Sequence, residues 1–336
     1  MKILASLVAG TALLSASATF AADAPTVVTS FKPLHSLVAN VMQGVGEPDL
    51  LIGTNASPHT YTMKPSNAAQ LEKAKVVFWI GPGFEHFLEK PLEALASGAK
   101  SVELSEAPGV ELLDSRAGGS FEKHSHAGEA EEEDHDHDAE TKAGDHDHDH
   151  AGEEAAGEHE HHDDEAKDMH LWLDPDNARA MTREIVKVLS EVDSANAATY
   201  AKNGAALDER LAALDTEIAS TLAPVKDRSF IVFHDAYQYM EHHYGLKVAG
   251  SITVNPEVMP GAARVREIRE KVVALGATCV FSEPNFEPKI VGTLIEGTKA
   301  KAGELNPEGG ALKAGPGLYF DLLRANAASL KNCLDG

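Results

Sequence analysis

Val76-Val77-Phe78-Trp79-Ile80 is a run of five apolar residues with no polar interruption. A strand with one face in water alternates apolar and polar side chains. An unbroken run predicts a strand buried on both faces, as in a parallel sheet covered by helices. Outward from this run, secondary-structure signals alternate. On the N-terminal side the sequence predicts strands at Val27–Ser30 and Leu50–Gly53, with helices from Pro33 to Met42 and from Pro65 to Ala74. On the C-terminal side follow a helix from Phe84 to about Ala96 and a strand at Val102–Leu104. The alternation returns later, with strands at Phe230–Phe233, Val248–Ile252 and Thr278–Phe281. Helices are predicted at Ala236–Tyr244, Ala262–Leu275, Pro288–Lys301 and Leu318–Lys331. Between the two sets, helical patterning runs from Asp176 to Leu222 with a break near Asp193-Ser194; Asp174 is placed to cap it and Pro175 to occupy its first turn. The expectation is an α/β protein of two lobes, each with a mainly parallel sheet, joined by a long rigid helix.

The formal charge of −24 belongs mostly to one segment. Residues 122–168 hold twenty Asp and Glu against three Lys, a net of −17, which leaves −7 for the rest of the chain. No basic patch suited to nucleic acid remains. The same segment carries ten of the seventeen histidines: His124, His126, His135, His137, His146, His148, His150, His159, His161 and His162. It has no apolar period with which to bury a core, so it reads as a disordered His/Asp/Glu-rich loop. Imidazoles alternating with carboxylates place several donors within reach of one divalent ion. Without fixed geometry such a tract holds Zn²⁺, Cu²⁺ or Ni²⁺ loosely and at several accessory sites.

Lys2, the apolar stretch Ile3–Leu14 and the small residues up to Ala21 and Ala22 read as a secretory signal peptide over residues 1–21. The apolar run is shorter than the ~20 residues that span a bilayer. The expected division is a signal peptide (1–21), a first α/β lobe (22–175, including the 122–168 loop), a helical connector (176–224) and a second α/β lobe (225–336). The expected product is exported, soluble and monomeric. Two cysteines, Cys279 and Cys333, in an exported chain favour a single disulfide.

Seven histidines lie outside the loop. His59 follows the strand at Leu50–Gly53, His170 opens the segment after the loop, and His234 follows the strand at Phe230–Phe233. In open α/β sheets ligands bind beyond the carboxyl ends of strands, which favours these three as metal ligands. They are 111 and 64 residues apart and meet only if the fold brings their loops together. His35, His86, His242 and His243 read as structural or surface residues.

Several segments together carry a resemblance. They are Pro58-His59-Thr60-Tyr61 with Lys64-Pro65-Ser66, Val77-Phe78-Trp79-Ile80-Gly81-Pro82, and His170-Leu171-Trp172-Leu173-Asp174-Pro175. Phe233-His234-Asp235-Ala236-Tyr237, Gly250-Ser251-Ile252, Phe281-Ser282-Glu283-Pro284 and the C-terminal Cys333 complete the set. In these segments, and in the His-rich insert ahead of His170, the chain resembles the zinc-binding receptors of ABC transporters, within the metal-binding cluster of periplasmic solute-binding proteins. The resemblance implies two α/β lobes bridged by a long helix, Zn²⁺ held in the cleft by His59, His170 and His234, and a Cys279–Cys333 disulfide. It also implies delivery of the ion to a membrane permease with its ATPase subunit, and no enzymatic role. Some relatives carry Glu before the first histidine, where this chain has Pro58. Many carry Asp in a C-terminal loop, where this chain has Asn306. The fourth coordination position therefore falls to water or to a histidine of the insert. Three histidines without an evident carboxylate favour Zn²⁺ over Mn²⁺. Two other functions fit parts of the sequence: a zinc buffer acting through the loop, and a zinc hydrolase, for which the chain offers neither an HExxH motif nor a nucleophile elbow.

Overall fold

The described strands form two four-stranded sheets, and every pairing within each sheet is parallel. The computed structural model describes residues 24–53, 56–116, 167–253, 261–274, 276–284 and 289–335. The expected signal peptide and the insert histidines from His124 to His162 lie outside the described residues.

The first lobe comprises β1 (Val27–Thr29), α1 (Lys32–Val41), β2 (Asp49–Leu50), α2 (Pro65–Lys73), β3 (Val76–Trp79), α3 (Glu89–Leu95) and β4 (Lys100–Glu103), with strand order β2-β1-β3-β4. Two helices follow, α4 (Pro175–Val192) and α5 (Ala197–Leu222). The second lobe contains β5 (Ser229–His234), α6 (Gln238–Tyr244), β6 (Lys247–Thr253), α7 (Ala262–Ala274), β7 (Cys279–Ser282), α8 (Lys289–Ile295), β8 (Lys301–Glu304) and α9 (Leu318–Leu334). Its sheet order, β6-β5-β7-β8, repeats that of the first. Parallel neighbours require a crossover rather than a hairpin, which is why helices separate the strands. All four residues of β3 are buried, as the uninterrupted apolar run requires.

The break expected near Asp193 is a short 3₁₀ turn at Ser194–Asn196, after which the chain doubles back. Arg179 on α4 pairs with Asp208 on α5 while Val186 faces Gly204, so the two helices run antiparallel. A Cβ at Gly204 would sit 2.3 Å from Val186 Cγ2, so only glycine permits this approach. The 26-residue α5 packs against α1 and α9, elements of opposite lobes.

Polar ties also cross between the lobes. Buried Lys32 donates to the Gly310 and Leu312 carbonyls at 2.5 and 3.2 Å, and Asn40 donates to the Pro316 carbonyl at 2.7 Å. A Cys279–Cys333 disulfide joins β7 to α9 with Cα atoms 6.1 Å apart. Closing that loop stabilises the fold by about 4 kcal/mol in the chain-entropy model. Among the described residues no helix is long and apolar enough to cross a membrane.

Two predicted helices are shorter than expected, and one strand is additional. The helix predicted from Phe84 begins only at Glu89, because the buried Glu85 carboxylate accepts the Ile80 and Gly81 N–H groups at 3.0 Å and folds the intervening residues into turns. The helix predicted over Pro288–Lys301 stops at Ile295, and Gly297 with φ 74° reverses the chain. Lys301–Glu304 then forms an edge strand, and three of its four residues are exposed.

Candidate metal centre

His59, His170 and His234 come together although each comes from a different part of the chain. His234 is the last residue of β5 itself, one residue earlier relative to the strand end than the sequence predicts. His59 sits in a 3₁₀ turn, Pro58–Thr60, capped by Ser57: the Ser57 hydroxyl accepts the His59 N–H, the first in the turn, at 3.4 Å. His170 does not follow a regular strand. It follows an isolated antiparallel bridge between Asp114 and Lys167 and leads into the 3₁₀ turn Leu171–Leu173.

The Nε2 atoms of His59 and His170 are 3.3 Å apart, and those of His234 and His170 are 3.4 Å apart. With Zn–N bonds of about 2.0–2.1 Å, tetrahedral ligands lie about 3.3–3.4 Å from one another. Both measured separations match the edge of such a tetrahedron, and all three donor atoms lie within 4.8 Å of one another. His170 and His234 are only 5% and 2% exposed, while His59 is half-buried and marks the solvent side.

Carboxylates behind the ring nitrogens fix which way two of the imidazoles face. His170 Nδ1 is 2.7 Å from Asp168 Oδ1, and His234 Nδ1 is 2.6 Å from Glu283 Oε1. An Nδ1–H donated to each carboxylate leaves the Nε2 lone pair aimed at the common point, the arrangement that orients metal-binding histidines. The sheet explains the second pair: β5 and β7 are parallel neighbours, so His234 and Glu283 finish side by side at their carboxyl ends. Burial pulls the His234 imidazole toward its neutral form, but the Glu283 carboxylate and the charges of Glu308 and Asp235 outweigh it and leave its pKa raised.

An aromatic floor supports the rings. Phe84 packs edge-on against His59 and His170 at 5.1 and 5.8 Å, and its position follows from the Glu85 contact with the β3 end. Trp172 packs on Phe31 and Phe84 and donates to the Pro307 carbonyl at 2.8 Å, which places the 306–310 loop of the second lobe beside His170.

Asn306 is engaged in that loop itself. Its Oδ1 accepts the N–H groups of Glu308, Gly309 and Gly310 at 3.2, 2.7 and 3.3 Å. The nearby acid is Glu308, whose Oε1 accepts from the Ser57 hydroxyl at 3.3 Å. Asp168, Glu283 and Glu308 thus surround a site that the sequence presented as free of carboxylates. Asp168 had a readable signal, lying two residues before His170, whereas Glu283 comes beside His234 only through the strand order.

A second cluster has a different character. Asp174, Asp176 and His243 also lie within 4.8 Å of one another. Both His243 nitrogens face carboxylates, Nδ1 to Asp174 at 3.0 Å and Nε2 to Asp215 at 2.8 Å. These hydrogen bonds raise the His243 pKa to about 9 against the opposing effect of burial, so the imidazolium itself is the cation there.

The family model described as the periplasmic zinc-uptake complex component A, ZnuA, matches residues 27–333. A high-affinity zinc uptake system protein ZnuA from Brucella abortus (strain 2308) is 51% identical over 336 residues, covering 99% of each chain. The protein of the same name from Paracoccus denitrificans is 40% identical over 330 residues, covering 98% of each. Among solved structures, a crystal structure of ZnuA aligns with a TM-score of 0.69 at 22% identity, over 92% of this chain and 99% of that one. FpvC of Pseudomonas aeruginosa in complex with Ni²⁺ aligns with a TM-score of 0.71 at 19% identity, over 93% and 97% of the two chains. At these identities the structural likenesses speak for the fold. The family match and the whole-length relatives go further, and the chain belongs to the ZnuA family of periplasmic zinc-uptake components.

Proposed function

We propose that this protein is a zinc receptor that captures Zn²⁺ on His59, His170 and His234 between its lobes and delivers it to a membrane permease driven by an ATPase subunit. The observation that carries this reading is the set of Nε2 separations, 3.3 and 3.4 Å, in a buried pocket where carboxylates hold the opposite ring nitrogens of His170 and His234. Three neutral imidazoles suit zinc, and Asp168 and Glu283 offset the charge of a divalent ion in a buried place. The relatives from Brucella abortus and Paracoccus denitrificans are named for high-affinity zinc uptake, which accords with it. Water takes the fourth corner in this reading. The protein works in the periplasm as a soluble monomer and carries no catalytic group. Its organisation is a signal peptide (1–21), lobes at 22–175 and 225–336, and a helical connector at 176–224. The histidines of the 122–168 loop, as accessory metal donors, belong to the same proposal.

A metal-loaded structure with anomalous scattering collected at the zinc edge tests the assignment. One strong peak equidistant from the three Nε2 atoms is expected. A peak elsewhere, or stoichiometric tight binding that survives His170→Ala, would refute it.

A further inference from the structure

Arg116 and Lys167 are the described residues on either side of residues 117–166, and the antiparallel bridge between Asp114 and Lys167 brings the two ends to one point. That point is fastened to the second lobe. Arg116 Nε donates to Asp235 Oδ2 at 3.1 Å, its Nη2 pairs with Asp235 Oδ1, and its Nη1 pairs with Glu241 on α6. Asp235 is 3% exposed and directly follows His234.

The same junction reaches the second ligand. The Tyr239 hydroxyl donates to the Asp168 carbonyl at 2.6 Å and accepts the Leu113 N–H at 3.0 Å. The Asp168 N–H donates to the Leu113 carbonyl at 2.9 Å, and Gln238 donates to the Asp114 carbonyl at 3.1 Å. Asp168 is the residue whose carboxylate aims His170. One small network at the root of the insert therefore touches the residue next to His234 and the residue that orients His170.

We infer that Arg116 is a positioning residue for the metal centre: its two-point ion pair with Asp235 fixes the backbone that carries His234 relative to the Asp168 support of His170. A guanidinium gripping a carboxylate at two points sets direction as well as distance, which a single-point contact does not. Without Arg116, the buried Asp235 carboxylate is left uncompensated, and the loop has to shift to expose it. A metal site needs its ligands held to within a fraction of an ångström, so a shift one residue from His234 is felt at the ion. This inference rests on the zinc reading of the three histidines.

The test uses the full chain with Arg116→Gln and Arg116→Lys, zinc affinity by competition with a chromophoric chelator, and the visible spectrum of the Co²⁺-substituted protein. Weakening of zinc binding by roughly tenfold or more is expected for Arg116→Gln, with an altered cobalt band and a smaller loss for Arg116→Lys. Adding Asp235→Asn to Arg116→Gln should restore part of the affinity, because the buried Asp235 charge is then removed. A lower thermal midpoint of the metal-free protein, with zinc affinity within about twofold of wild type and an unchanged cobalt band, would make Arg116 a fold residue only and overturn the inference. If Arg116→Gln does not fold, Arg116→Lys decides by the same criterion. Failure of the wild-type chain to bind zinc, or retention of tight binding in His170→Ala, would instead refute the zinc reading and leaves a recognisably different result.

Discussion

His234 and His243 stand nine residues apart and both hold their protons more tightly than an ordinary histidine, yet they do opposite things. His234 has a carboxylate on Nδ1 and presents Nε2 to two other imidazoles. His243 has carboxylates on both nitrogens, Asp174 on one side and Asp215 on the other. In the proposed zinc site, acid on one side prepares a ligand, whereas acid on both sides prepares a cation that ties α6 to the start of α4 and to α5. The number of carboxylate-bound nitrogens separates the two roles better than burial or proton affinity does.

The sharpest way to break this distinction is to exchange the roles by mutation. His234→Ala should abolish tight zinc binding, a loss of roughly three orders of magnitude or more for removal of one of three ligands, while His243→Gln should leave the zinc affinity unchanged; titration calorimetry on both variants checks it. A smaller effect is expected for Glu283→Gln, which keeps a hydrogen-bonding group but not its charge: zinc affinity at pH 8 should fall about 10- to 100-fold. The same change should alter the pH dependence of that affinity. Glu283 raises the proton affinity of His234, so the apparent zinc affinity of the wild type should begin to weaken at a higher pH, as protons compete for His234, than that of the variant. An unaltered pH profile would mean that Glu283 does not set the His234 charge.

His243 should act on stability instead. Its pKa is about 9 in the folded protein against an ordinary 6.5, so its contribution is fully present below pH 6.5 and is lost as pH rises through 9. Allowing for partial exposure, the contribution is about 2 kcal/mol. Urea unfolding at pH 6 and pH 9.5 should show that difference in the wild type and lose most of it in His243→Gln. The smallest effect on the cleft is expected from deleting residues 122–166, which spares Lys167 and Asp168, and joining the flanks with a short linker. One tight zinc site should remain and several weak ones should vanish in calorimetry, and loss of the tight site would transfer the function to the loop.

The parts of the molecule that could be read in the sequence are those where one face, or both, is apolar. β3 declared itself through Val76–Ile80 because burial on both sides leaves no room for a polar residue. β8 did not, because Lys301, Ala302 and Glu304 sit exposed at a sheet edge and carry no apolar period. Topology sets His59 and His234 after or at strand ends, but the meeting of all three histidines depends on segments 111 and 64 residues apart that no local pattern encodes. Glu283 was missed for the same reason. Its partner is a neighbour only because β5 and β7 are adjacent in the sheet. Asp168 was hidden differently, counted with the charge of the insert although it belongs to the cleft. The position of Asn306 along the chain suggests a ligand site, while its side chain is spent on three backbone N–H groups of its own loop.

The edges of the two sheets carry a consequence for how many copies of the chain can share a compartment. A long, flat, apolar edge offers unpaired backbone groups to any passing strand and recruits it into a growing aggregate. Here β2 is two residues long, and the exposed margins at β4 and β8 include Lys100, Lys301 and Glu304. The longer edge, the seven-residue β6, has its last four residues buried, and Arg264 occupies the carbonyls of Ser251 and Ile252. A foreign strand approaching β4 or β8 would meet little backbone to pair with and charge that must be stripped of water. These sheets end where they end, and a crowded population of the chain can stay dispersed.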